Sequence, residues 1–223
     1  VLRREMELTA MATPGMKSAD VGRAMQLFVG KTGDLGSARG MAQTFATMAS
    51  ASGADISDIA SMSASLRDKF KITDDGEMQQ ALASIYMQGK SGSFELKDAA
   101  GLYDKLTAAG ASIGMAPGAE GIKTLGGLTQ IARGATGSSD QAAFAVEAMM
   151  RQIVAKGDHG QTNIKDDFGV DVFTDKSQTK LRGIQDILVE TIGGSKGNLP
   201  ALQKVFGEEG IRAIRPMVAA FNQ

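Results

Sequence analysis

Apolar residues recur three and four positions apart in stretch after stretch, each opened by a capping residue and closed by glycine or a turn cluster. This spacing constrains the fold more than any other feature. Residues so spaced share one face of a helix with 3.6 residues per turn, whereas a strand would need strict alternation. Asp34 precedes Leu35, Ala38, Ala42, Phe45 and Ala49, and Asp55 precedes Ile56, Ile59, Ser63, Leu66 and Phe70. After an Asp74-Asp75-Gly76 turn come Met78, Leu82, Ile85 and Tyr86, and Gly89-Lys90-Ser91-Gly92 reads as a loop. Leu96, Ala99, Tyr103 and Leu106 form the next stripe, ended by Gly110. A Met115-Ala116-Pro117-Gly118 turn leads to Ile122, Leu125, Leu128 and Ile131, on a helix that Gly126 and Gly127 weaken. Ser138 or Ser139 then caps a helix carrying Ala143, Val146, Met149, Met150 and Ile153.

The texture changes at Lys156. Residues 157–163 are polar and turn-rich, and in the following segment Phe168, Val170 and Val172 alternate with Gly169 and Asp171. Alternation of this kind suits a short strand or extended arm. Helical spacing resumes with Leu181, Ile184, Ile187, Leu188 and Ile192, closed by Gly193-Gly194. Asn198-Leu199-Pro200 opens a short helix with Leu202, Val205 and Phe206. A last helix from about Gly207 carries Ile211, Ile214, Met217, Val218 and Phe221, and Pro216 is expected to kink it or end it early. The expected fold is all-α, with a short extended or β element near 164–173 and a smaller C-terminal helical lobe. Its expected organisation is a helical domain over 1–155, a joint over 156–176 and a lobe over 177–223.

What fills these stripes matters as much as where they fall. Among 223 residues there is no tryptophan, tyrosine occurs twice and methionine thirteen times. Small side chains let helices approach closely, and methionine fills irregular gaps without imposing one geometry. Such a core suits helix packing better than a rigid, aromatic-walled substrate pocket. The formal net charge is −1, so no global field draws the chain to nucleic acid or to an anionic membrane. Cysteine is absent, which removes disulfides and thiolate chemistry. No signal-peptide core follows the first residues, and no apolar run approaches the roughly 18 residues that span a bilayer. The sequence starts at Val1 without an initiator methionine, as a piece of a longer polypeptide would.

Candidate chemistry fails at specific positions. Gly30-Lys31-Thr32 matches the end of a phosphate-binding loop, but that loop needs a glycine five residues earlier, where Met25 stands. The segment reads instead as a helix C-terminus. His159, the one histidine, lies in a polar loop without a partner histidine at metal-binding spacing. The carboxylate pairs Asp74/Asp75, Asp166/Asp167 and Glu208/Glu209 sit at helix starts or turns, where acids serve exposed N–H groups and the helix dipole. Arg151, Lys156 and Lys165 form no basic stripe with interleaved aromatics. A weak echo at an offset of 40 pairs Ile56, Asp58, Ala60 and Leu66 with Leu96, Asp98, Ala100 and Leu106, and two amphipathic helices share that much by chance. No catalytic, cofactor-binding or metal-ligating residue is therefore assigned, no cofactor is expected, and the chain is expected not to be an enzyme.

The C-terminal third carries a more distinctive order of motifs. Phe168-Gly169-Val170-Asp171-Val172-Phe173 is followed by a polar turn and then by Ile184-Gln185-Asp186-Ile187-Leu188. A spacer leads to Leu202-Gln203-Lys204-Val205-Phe206-Gly207-Glu208-Glu209-Gly210-Ile211-Arg212-Ala213. This sequence resembles the core region of phage tail tape measure proteins, the phage-related minor tail protein group. The resemblance covers about residues 50–223, with its distinctive positions in about 165–215. Thr174-Asp175-Lys176-Ser177 departs from the group's usual Asp-then-glycine turn, and no long coiled-coil tract is present. The resemblance implies a structural role in tail assembly inside the tail tube, in a bacteriophage or prophage. The chain would be made in the host cytoplasm and carried in the tail lumen of the virion. Tail tube protein, a tail assembly chaperone and tail-tip proteins are the partners it implies, with self-association open and neither specific nucleic acid nor a membrane span. A compact piece adds little length to a ruler, so a plug, anchor or initiation module is implied for it. The competing class is a helical protein-binding module, an adaptor or effector segment. A hydrolase with Glu95 or Glu147 as a lone acid is the third.

Overall fold

The computed structural model describes residues 2–155, 163–175, 177 and 181–223, and all its regular elements are helices. The all-α class expected from the apolar spacing is the class observed. The elements run α1 (Leu2–Met11), α2 (Ser18–Thr32), α3 (Leu35–Ser52), α4 (Ile56–Phe70), α5 (Asp75–Ser91) and α6 (Leu96–Ser112). After these come α7 (Gly118–Gly134), α8 (Ser139–Ala155), α9 (Ile164–Phe168), α10 (Ile184–Gly194) and α11 (Leu199–Phe221).

The chain divides into two compact units, Val1–Thr107 with Pro117–Lys123, and Ala108–Ala116 with Thr124–Gln223. Helices α8 and α11 both lie in the second unit and pack on each other.

In the first unit α4 is the central helix. Ile56, Ile59, Ala60, Met62, Ser63, Ala64, Leu66 and Phe70 are all buried, over a face wider than the expected stripe, with Asp68 and Lys69 exposed opposite, and α2, α3 and α5 pack against it. Small residues on the neighbours allow this crowding. From α3 come Ala38, Ala42, Ala46 and Ala49 with Met41 and Phe45, and from α2 Val21, Ala24, Met25 and Phe28. The Phe28 and Phe45 rings meet at 5.5 Å between centroids, tilted by 44°, a favoured geometry for aromatic pairs. Two caps, Asp34 and Asp55, fall where the sequence places them, whereas the turn expected at Asp74-Asp75-Gly76 is a third cap with the first turn of α5. The carboxylate of Asp34 accepts from the Ser37 amide at 2.9 Å, that of Asp55 from Ser57 at 2.7 Å, and that of Asp74 from Glu77 at 2.9 Å. Leu35, expected on the α3 stripe, lies instead in the first turn and stays exposed.

The expected loop at Gly89 is a correction. Helix α5 continues to Ser91, and Gly89 is the position where the chain folds back on it. A Cβ there would lie 3.0 Å from the Phe94 carbonyl oxygen and 3.1 Å from Leu96 N. The glycine thus answers a close backbone approach rather than a loop. Gly126 and Gly127 likewise do not interrupt α7, nor does Gly110 end α6.

The second unit is organised around α8, with nine of its seventeen residues buried, including Ala142, Val146, Met149 and Ile153. Ser138 supplies the cap, accepting from the Gln141 amide at 3.2 Å. The extended element expected near 164–173 is helical in its first half. Asn163 caps the single-turn α9 and Gly169, at φ 72°, ends it. Only the remainder is extended. Val170 and Val172 are buried with Asp171 exposed between them, and Phe173 makes one antiparallel bridge to Leu181. Leu181 therefore belongs to that bridge rather than to the following helix.

Helix α11 breaks at Gly207, at φ 70° and ψ 178°. In an unbroken helix the buried residues before it (Leu202, Val205, Phe206) and after it (Gly210, Ile211, Ala213, Ile214, Val218) would point roughly a third of a turn apart. The break lets both groups be buried in one core. Pro216, expected to end or kink the last helix, lies inside it, and helix continues to Phe221.

Candidate functional site

The densest polar constellation of the first unit is built by three helices around Asp104. Lys31, in the last turn of α2, donates to Asp104 Oδ2 at 2.7 Å and to Ser61 Oγ at 2.6 Å. Ser61 and Ser65, one turn apart on α4, both donate to the Asp104 carboxylate, Ser61 at 3.2 Å. Burial alone would raise the Asp104 pKa. The bonds from Lys31 and Ser65, the Lys31 charge and the bond from Ser61 outweigh it and hold the carboxyl below its ordinary value. Asp58 goes the other way, raised by burial and by the charges of Asp55 and Asp104.

A lysine bonded to a serine is an arrangement that can activate a nucleophile, provided the amine is neutral. Here the Lys31 amine is engaged by a carboxylate 2.7 Å away, and both side chains are partly exposed, Lys31 at 40% and Asp104 at 41%. The arrangement acts as a clamp between α2, α4 and α6. A second clamp lies where α3, α4 and α5 meet. Arg67 donates to Asp34 Oδ2 at 2.6 Å and to the Thr73 carbonyl at 2.7 Å, with Asp75 at 3.9 Å. Asp34 thus caps α3 and ties it to α4. The Ser37 amide and hydroxyl, with Arg67 behind them, lower its pKa against a smaller effect of burial.

The sequence candidates are placed apart from one another. Lys31 sits near the end of α2, which Gly33 closes at φ 71°, the arrangement of a helix C-terminus and not of a phosphate loop. His159 lies outside the described residues. Asp74 is a cap and Asp75 faces Arg67, while Asp166 and Asp167 occupy the first turn of α9 and Glu208 and Glu209 follow the break in α11. Glu95 pairs with Lys97 at 3.2 Å and Glu147 with Arg151 at 3.7 Å. Among the described residues no three His, Asp or Glu side chains gather as a metal site, and no helix is long and apolar enough to cross a membrane. The Asp104 cluster carried no sequence signal, since its members lie up to 73 residues apart. The one trace of it is Ser61 and Ser65, serines at adjacent turns on the half-buried side of α4.

Open grooves lie on the first unit. Gln43, Thr44, Thr47 and Met48 of α3 and Gln79, Gln80 and Ala83 of α5 line one of about 510 Å³. Another, of about 450 Å³, lies among α1, α2 and α3. Met87 in the first unit, and Phe144, Val189 and Phe221 in the second, are large apolar side chains left at least 48% exposed.

A family model described as phage-related minor tail protein matches residues 6–207. No curated protein and no solved structure matches the chain.

Proposed function

We propose that this chain, which belongs to the phage-related minor tail protein family, is a folded module of a tail length tape measure protein. Family membership supports a structural role in the phage tail. The finer reading rests on the order of the Phe168–Phe173, Ile184–Leu188 and Leu202–Ala213 motifs. In this reading the module works without catalysis in the tail lumen. It meets tail tube protein, assembly chaperone and tail-tip proteins through exposed helix faces. The observation that carries it is the family match across almost the whole chain, 6–207, joined to an architecture of helices clamped by ion pairs.

A fully helical ruler of this many residues would contribute roughly 330 Å at about 1.5 Å per residue. Two compact helical units contribute far less, so the chain is read as a plug, anchor or initiation element. Excising its codons in frame from the parent gene, with tail lengths measured by electron microscopy, tests this. The expected result is failed or sharply reduced tail assembly. Functional tails shortened by the full ruler length would refute the module reading. Absence of its peptides from purified tails, by mass spectrometry, would refute the tail location.

A further inference from the structure

We infer that α1 is a releasable strap, which opens from α2 and α3 while the rest of the first unit stays folded. The inference starts from burial. Helix α1 packs on both neighbours, yet none of its ten residues is buried, and Leu8 and Met11 are 55% and 84% exposed. Beneath it the contact is incomplete. The groove of about 450 Å³ is walled by Glu5, Leu8 and Thr9 on one side and by Met25, Gly36, Gly40 and Ala42 among those opposite. Opening therefore sacrifices few apolar contacts, and elements with few of them open at low free energy.

The attachments are unequal at its two ends. Beyond the helix, Thr13 is buried and accepts from Gln43 Nε2 at 2.9 Å, and the Pro14 carbonyl accepts from Ser50 Oγ at 3.2 Å. Both bonds reach α3 and anchor the turn, in which Gly15 takes φ 76°. Within the helix, the side-chain tether to α3 is the two-bond ion pair of Glu5 with Arg39, the two side chains 37% and 45% exposed. A fixed turn at one end and an exposed tether on the helix make a pivot. Release uncovers Met25 and Ala42, otherwise 4% and 6% exposed.

The chain lacks cysteine, so a single introduced thiol reports one site. In the 223-residue chain carrying Met25→Cys, the thiol is expected to react with a disulfide reagent under native conditions. In a separate Leu66→Cys chain, it reacts only on global unfolding. Adding Arg39→Gln to Met25→Cys is expected to speed labelling about two- to fivefold, the range for losing an exposed ion pair, and high salt does the same to the parent. Hydrogen exchange on the unsubstituted chain is the independent measurement. Amides of Met6–Met11 should exchange at least about a thousandfold faster than those of α4. Equal protection of α1 and α4, or equal labelling of the two thiols, overturns the inference. So does a labelling rate that neither Arg39→Gln nor salt changes.

Discussion

The two units reach the same end, a crowded helical core, by opposite means. In the first, side chains decide. Helix α4 is buried over about half its circumference, and alanines on α2 and α3 let a few phenylalanines and methionines fill what remains. Its rim is tied by charged clamps at Asp104 and Arg67. In the second, backbone decides. Gly210 lets α11 lie so close to α8 that a Cβ would stand 3.1 Å from the Met149 backbone, and Gly207 turns the chain so that two stripes share one core. One unit should therefore suffer most from removing atoms and the other from adding them.

The largest expected effect is in the first unit. Leu66→Ala, at a side chain with no exposure, should cost about 2–5 kcal/mol in urea unfolding, because a fully packed neighbourhood cannot collapse into the space. A loss under about 1 kcal/mol would mean that α4 is not the packing centre. Next comes Gly207→Ala in the second unit. Its φ and ψ lie in a region open essentially to glycine, so one added methyl should cost about 1–3 kcal/mol despite alanine's better helix propensity. Stabilisation instead would show that α11 prefers to run straight, and the contrast between the units would fall.

Smaller is the Asp104 clamp. Asp104→Asn should cost at most about 1 kcal/mol at neutral pH, since the pair is partly exposed and solvent screens it. The carboxyl's pKa is lowered in the folded state, so its contribution is present above the unfolded value and lost as pH falls through the folded one. Parent and variant stabilities should converge below that point, and a gap that widens in acid would contradict the clamp. The smallest effect has the opposite sign. Tyr103, beside Asp104 in sequence, is buried with its hydroxyl unpartnered among the described residues, and burial drives its pKa upward. Tyr103→Phe should be neutral or stabilising by a few tenths of a kcal/mol, read from the urea midpoint, because an unpaired buried hydroxyl only carries a desolvation cost.

Legibility follows the same division. The α4 stripe of Ile56, Ile59, Ser63, Leu66 and Phe70 is read correctly from spacing, because helix periodicity and burial on one face are local properties of the chain. That Ala60, Met62 and Ala64 are buried too depends on how many neighbours surround the helix, which no local pattern states. Glycine is the main source of misreading. Gly89, Gly126 and Gly127 look like breaks and lie inside helices, whereas Gly207 looks like a boundary and is one. A missing side chain serves a positive φ and a close approach equally well, and only the neighbour across the gap distinguishes them. The Asp104 cluster was hidden for a related reason, its four members being scattered over three helices.

Alone, the sequence determined the helical class, the N-terminal caps at Asp34 and Asp55 and most inward faces. These depend on interactions within a turn or two of each residue. The absence of cysteine and the near-zero charge belong there as well, since they need no fold. Tertiary structure alone decided which helices share a unit and that α8 packs on α11. It also decided that Lys31, Ser61, Ser65 and Asp104 meet, and that α1 rests on its neighbours without being buried. Those outcomes turn on packing between segments far apart in the chain, where size, glycine and charge on one element are satisfied by another.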